Sequence, residues 1–336
     1  MAHRRPRVAP AAVALLAACL CPAPAAAQSF WLTPAPGSLD YRELATREWL
    51  ARIAPDVDVV QFYVQHLLPH RSETVGPNTL QAFLARGTFH HLRRLGVLTA
   101  MEAGVVKAYW CDDIEARGAV ALSAQAMRNV QEAGGRVDFI SIDEPFVAGM
   151  QHCTMLESQV ADRVASYVKA IRRLAPGVRV GMTEAYPAFD AERHALFEAL
   201  LRQRGAPLDF YHLDLHLSSA LRAKPAAAVE QEVRVLGNHL QARGVPFGLI
   251  IWGEDGRSDF LYAEDAMRLV RLTRSLFLTA RRPPAHVPLQ SWTATPEGLV
   301  MVPRNLPPDG EATHLQLLRR ARGCVLTGTG CGSADP

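Results

Sequence analysis

The sequence predicts a single (β/α)8 barrel, and three observations carry that expectation. From Ser29 onward, eight apolar, strand-like runs alternate with amphipathic helical stretches. Their spacing of about 30 to 40 residues is the length of one strand–helix unit in such a barrel. The run from Val137 to Phe146 follows a Gly-Gly pair, is apolar and β-branched, and ends in Asp143-Glu144-Pro145. That is how a parallel strand covered on both faces reads when it delivers acids to its carboxyl end. Finally, the first run leads into Thr33-Pro-Ala-Pro-Gly37, not the Gly-rich phosphate turn of a doubly wound sheet.

In order, the strands are expected at Phe30 to Thr33, Val57 to Tyr63, Val97 to Val106, the Val137 run, from Arg179 to Met182 onward, Leu208 to Leu215, Pro246 to Trp252 and Val287 to Trp292. Helices are expected from about Asp40 to Ala54, up to Gly96, from Glu115 to Ala133, from Ala263 to Ala280 and from Glu311 to Arg322. Between the fourth and fifth strands Leu156, Val160, Val164, Val168, Ile171 and Leu174 recur at intervals of three and four, with Gly177 just past the end. Asp190 is a good N-cap for the next helix, and Val229, Val233, Leu236 and Leu240 mark another helical face closed by Gly244.

With 49% hydrophobic and 21% charged residues and a net charge of +3, the 336-residue chain has an ordinary globular composition. No basic stripe with interleaved aromatics argues for nucleic acid. No polar linker divides the chain, so residues 28–336 read as one barrel domain. Residues 1–27 read as an export signal. Arg4, Arg5 and Arg7 precede an Ala-rich apolar run too short for a permanent span, and Ala25-Ala26-Ala27 is a cleavage pattern. The alternative within this segment is Leu16-Ala17-Ala18-Cys19, which resembles a lipobox and would leave a lipid anchor at Cys19. Either way the protein is expected outside the cytoplasm, periplasmic or extracellular. Cys111, Cys153, Cys324 and Cys331 then form an even set in an oxidising compartment. A Cys111–Cys153 bridge between neighbouring loops and a short Cys324–Cys331 loop fit the strand order; four unpaired thiols are the alternative. No Cys-x-x-Cys spacing points to a metal.

A barrel builds its site at the carboxyl ends of its strands. Those ends offer Gln61, Tyr63 and Gln65 on the second strand, then Glu102 with Lys107 and Trp110 beyond it, then Asp143 and Glu144. The fifth offers Glu184 and Tyr186; the sixth His212, Asp214 and His216; the seventh Trp252, Glu254 and Asp255; the eighth Gln290 and Trp292. Carboxylates beside aromatic faces suit a neutral polyhydroxylated ligand, whose hydroxyls need acceptors and whose C–H faces stack on rings.

In Ile142-Asp143-Glu144-Pro145 and Ile250-Ile251-Trp252-Gly253-Glu254 the chain resembles the large group of (β/α)8 glycoside hydrolases with the acid/base on strand four and the nucleophile on strand seven. Trp292 lies where that group often has a Trp, and Asp143 stands where it usually has Asn. The resemblance implies Glu144 as acid/base and Glu254 as nucleophile, with retention of configuration and no cofactor. Tyr63, Glu102, Asp143, Glu184, His212, Asp214, Trp252 and Trp292 would line the sugar site. The chemistry requires one carboxylic acid on the leaving oxygen and one carboxylate facing the anomeric carbon. Nearby acids would raise the pKa of Glu144 into a range where it can donate a proton.

Each residue also has a plainer reading. Glu144 could pair with a basic loop residue, and Gly-Glu-Asp-Gly could be a solvated turn that turns Glu254 away, leaving Asp214 as the second carboxylate. His212 and His216 fit orienting or packing roles, and Trp252 and Trp292 fit a core. Two other functions compete: a metal-dependent sugar isomerase or hydrolase built on Glu144, Glu184, Asp214 and His216, and a non-catalytic glycan-binding barrel.

Overall fold

The computed structural model describes residues 28–38, 41, 46–69, 75–107, 110–113, 115–279, 285–296, 302–303, 310 and 312–332. The signal expected over 1–27, with its cleavage point after Ala27 and the alternative anchor at Cys19, lies outside the described residues. The eight strands are β1 (Ser29–Thr33), β2 (Val59–Tyr63), β3 (Leu98–Ala103), β4 (Phe139–Asp143), β5 (Arg179–Tyr186), β6 (Tyr211–Leu215), β7 (Phe247–Leu249) and β8 (His286–Gln290). They pair in chain order, all parallel, and β8 returns to β1 to close the barrel.

Side chains alternate between two cores. Outward-facing residues such as Phe62, Ile140, Met182 and Leu213 pack under the helices. Inward-facing Trp31, Val59, Ala100, Phe139 and Phe210 fill the barrel itself. Small residues make room for large ones across that interior. A Cβ on Gly181 would stand 2.4 Å from the Phe210 ring, and one on Gly248 would stand 2.9 Å from the His286 carbonyl and 3.1 Å from His212. The interior is therefore a packed plug with no pore, and the site can lie only above it.

The lower, amino-terminal end is stapled by a motif that recurs on alternate strand pairs. The carboxylate of Asp58 accepts from the Phe30 N–H at 2.8 Å while its own N–H donates to the Phe30 carbonyl at 2.9 Å. Asp138 clasps Thr99 in the same way, at 3.0 and 2.8 Å, and Asp209 clasps Val180 at 2.8 and 2.9 Å. An arginine accompanies each: Arg322, Arg136 and Arg172. The pair β7–β8 has no such clasp, because Ala285 precedes His286.

Most helices follow the expected patterns. Glu157–Leu174 buries Val160, Val164, Val168 and Ile171, and Asp190 caps Ala191–Gln203 by accepting from the Arg193 N–H. The helix expected up to Gly96 is broken at Gly87, whose left-handed backbone (φ 64°) separates Leu80–Arg86 from Thr88–Arg94. β7 is shorter than expected; past Leu249 the Ile250 N–H donates to the Leu213 carbonyl at 2.9 Å and Ile251 forms a single bridge to Leu289. A short helix, Leu217–Ala223, follows β6 and has no periodic signal in the sequence. Both cysteine bridges are present. Cys111–Cys153 ties the loop after β3 to the segment after β4, and Cys324–Cys331 closes the end of the helix His314–Thr327. Among the described residues no helix is long and apolar enough to cross a membrane.

Candidate active site

Above the aromatic plug the strand ends surround a cavity of about 330 Å³, lined by Tyr63, Glu102, Asp143, Glu144, Asp214 and Trp292 among others. Its size is at the small end of ligand pockets, roughly 300–1,000 Å³. A larger space of about 430 Å³ opens at the opposite end of the barrel beside Arg93, Arg136 and Asp138. The carboxylate there is already committed to the Thr99 N–H and Arg136, so the upper cavity is the better candidate for chemistry.

Glu144 is presented by an unusual backbone. Its N–H still donates to the Thr183 carbonyl, extending the ladder by one residue, but its φ of 43° and ψ of 46° turn the chain sharply. Pro145 then starts a turn of helix where no N–H is needed. A non-glycine residue in this region is strained, at a cost of about 1–3 kcal/mol, which the surrounding structure must offset. Glu184 supplies the support. Fully buried, it accepts from the Phe146 N–H at 2.6 Å and the Val147 N–H at 3.3 Å, clamping the turn that follows Glu144. Burial pushes the Glu184 carboxyl well above the usual range, against the pull of the Phe146 N–H.

The charges in the cavity are unequally partnered. Asp143 forms an ion pair with Lys107; burial works against that ammonium, but Asp143, Glu102 and Glu144 together outweigh it and raise its pKa. Glu102 accepts from Gln61 at 3.1 Å and Gln290 at 2.7 Å; burial and then the charge of Asp143 push it well above the usual carboxylate range. Tyr63 lies beside it, its phenol raised by burial and by Glu102. Asp214 meets the His216 ring at 3.4 Å; burial raises its pKa and His216 pulls it back. Among the described residues no side-chain hydrogen bond or ion pair engages the Glu144 carboxyl. Burial, then Asp143 and Asp214, raise it to about 7, with Lys107 and His216 acting the other way. Such a carboxyl group is partly protonated at neutral pH.

Several residues read from the sequence as site candidates occupy other positions. Glu184 lies behind the turn described above. His212 points into the plug, 2.9 Å from His286 and against Trp31 and Phe210, and burial followed by His286 pushes its pKa well below the usual value. Trp252 is almost fully buried behind Trp292, ring centroids 4.6 Å apart, with the His216 ring edge-on at 4.9 Å. Glu254 is not among the lining residues. Its two oxygens accept from the Ser218 N–H, at 3.0 Å, and from the Ser218 hydroxyl, while its own N–H donates to Asp265 at 2.6 Å. The strand-seven residue that does line the cavity is Ile250.

The set considered for a metal does not converge, since both Glu184 oxygens are occupied by backbone N–H groups. Among the described residues no group of three or more His, Cys, Asp or Glu side chains is arranged to hold a metal ion. Pro36, Thr183, Ile250 and Ser218 enter or support the site without having been singled out from the sequence. Only strand register could have exposed Thr183 and Ile250, which stand beside Asp143 and Asp214.

No family model matches the chain, and no curated protein matches it. Solved structures do. The catalytic domain of a family 53 glycoside hydrolase from Ignisphaera aggregans superposes with a TM-score of 0.56 at 10% identity, over 87% of this chain and 95% of that one. A family 5 subfamily 18 protein from Streptomyces cattleya, solved in complex with Manb1-4GlcNAc, gives 0.57 at 13% identity over 90% and 82%. A psychrophilic family 10 endo-β-1,4-xylanase gives 0.50 at 9% identity over 78% and 86%. The class of fold is thus the closed eight-stranded barrel found in these glycoside hydrolases.

Proposed function

We propose that this protein is an exported glycosidase that binds carbohydrate at the upper mouth of the barrel and cleaves a glycosidic bond there with Glu144 as the general acid. One observation carries the reading: a carboxyl group without a hydrogen-bonding partner, raised to about 7, in an acid-lined cavity. A buried acid of that kind is what protonation of a leaving alkoxide requires. Trp292 offers a ring face for the C–H surface of a sugar, and Glu102, Gln290 and Tyr63 offer acceptors and donors for its hydroxyls. Kinship of fold with the family 5, 10 and 53 proteins supports the same class of substrate. Two disulfides and the apolar leader support export. A second carboxylate must complete the pair, and retention of configuration is the outcome expected if it attacks the anomeric carbon directly.

The test is a screen of the mature protein against para-nitrophenyl glycosides and soluble glycans, read by nitrophenolate and by new reducing ends, with Glu144→Gln in parallel. The expected result is turnover that drops by about 10²–10⁴-fold in the variant while glycan binding persists. Binding without turnover in the wild type would instead favour a glycan-binding barrel, the reading that the engagement of Glu254 by Ser218 supports.

A further inference from the structure

We propose that Asp214, rather than Glu254, is the carboxylate that acts opposite Glu144. The proposal rests on the glycosidase reading and assigns the second half of its machinery. Asp214 lines the same cavity as Glu144 from the inner face of β6, and its side chain is nearly inaccessible. Its two oxygens are treated differently. Oδ2 stands 3.4 Å from His216 Nε2, whereas Oδ1 has no hydrogen bond of good geometry. The Trp252 indole N–H also bears on the group, though it is itself without a well-formed hydrogen bond, and the charge of Asp143 opposes ionisation. A buried carboxylate served by so few well-aligned donors carries a cost of about 1–3 kcal/mol, which a functional role for the group would explain.

The neighbouring strand removes the usual competitor. Register pairs Leu213 with Leu249, so Ile250 stands beside Asp214 and fills the strand-seven position on the cavity with methyl groups. Glu254, four residues further on, has left the cavity wall, and both its oxygens are occupied by Ser218. Asp214 is also close enough to Glu144 for its charge to oppose ionisation of that acid.

The chemistry balances with these two groups and one water. The Asp214 carboxylate attacks the anomeric carbon. The bond from that carbon to the leaving oxygen breaks, its electron pair stays with the oxygen, and the oxygen takes the proton of Glu144. Water then attacks the same carbon of the glycosyl–Asp214 ester and gives a proton to Glu144, and the ester electron pair returns to Asp214. Both carboxyls are restored and one glycosidic bond is hydrolysed. His216 is the positioning residue: its Nε2, 3.4 Å from Oδ2, fixes the orientation of the carboxylate.

The experiment compares Asp214→Ala, Asp214→Asn and Glu254→Gln on the best substrate from the screen, with and without sodium azide, after thermal melts of each variant. Both Asp214 variants should lose about 10³-fold or more in kcat, and Glu254→Gln should stay within about tenfold of wild type. Azide should restore turnover to Asp214→Ala and yield a glycosyl azide of inverted configuration, which loss of a merely structural carboxylate would not produce. Turnover that survives in Asp214→Asn but not in Glu254→Gln, or azide rescue at position 254 alone, overturns the assignment to Asp214 and leaves the glycosidase reading intact. Absence of turnover by the wild type on every substrate overturns both.

Discussion

At the lower end of the barrel Asp58, Asp138 and Asp209 each grip both backbone groups of one residue on the preceding strand, with an arginine alongside. At the upper end Glu102, Asp143, Glu144 and Asp214 gather around one cavity, with the Lys107 ammonium on Asp143 and the His216 ring beside Asp214. The same residue class serves opposite ends. Below, each carboxylate receives donors and an opposite charge, and its role ends in holding two strands in register. Above, acids crowd one another and are partly withheld from water, so at least one keeps its proton at neutral pH. A folded chain tolerates the second arrangement only because the first, and the two cores, supply stability elsewhere.

The largest effect expected from breaking this contrast is at the lower end. Asp138→Ala removes the acceptor for the Thr99 N–H and the partner of Arg136, and should cost about 2–3 kcal/mol of stability. Urea unfolding would read the loss, and kcat should be unchanged. A large fall in kcat would mean the two ends are not independent.

The next is Glu144→Gln measured as stability. Between its ordinary value of 4.5 and about 7 the folded state holds a proton on Glu144 that the unfolded chain has released. Stability should therefore fall as pH rises through that window, because the native state binds more protons there. Activity should fall as pH rises through about 7, where the folded protein gives up that proton. In Glu144→Gln the stability slope should flatten and the melting temperature at pH 8 should exceed that of wild type; an unchanged slope would show that Glu144 ionises normally.

The smallest is Glu184→Gln. Replacing one acceptor oxygen with an amide loosens the clamp on Phe146 and Val147 without emptying the cavity, so kcat should drop about tenfold with KM little changed. A drop as severe as that of Glu144→Gln would instead put Glu184 in contact with the substrate.

Much of this was legible from residue order. Burial on both faces makes a parallel strand a continuous apolar run, so β4, β6 and the helix after β4 announce themselves, and with them the acids at their ends. Tyr63, Glu102, Asp143, Glu144, Asp214 and Trp292 were read at the strand ends, and the structure brings them around one cavity. Glu184, His212 and Glu254 were read with the same rule and lie elsewhere. His212 faces inward as expected but one layer too low, where Gly248 leaves room for it against His286. Glu184 stands on the outward phase of β5, one residue past inward Thr183, so it meets the turn after β4 from behind.

By itself the sequence determined the number and order of the strands, the closed parallel sheet and the acid at the tip of β4, because each is written in local periodicity or in short-range chemistry. Tertiary structure decided which acids reach the cavity beside Glu144 and which do not. Past Ile251 the chain leaves the ladder, and its path is set by Tyr262 packed against Gly253, Asp265 on the Glu254 N–H and Ser218 on the carboxylate. Those partners come from other segments, and no pattern of neighbours along the chain encodes where they will meet.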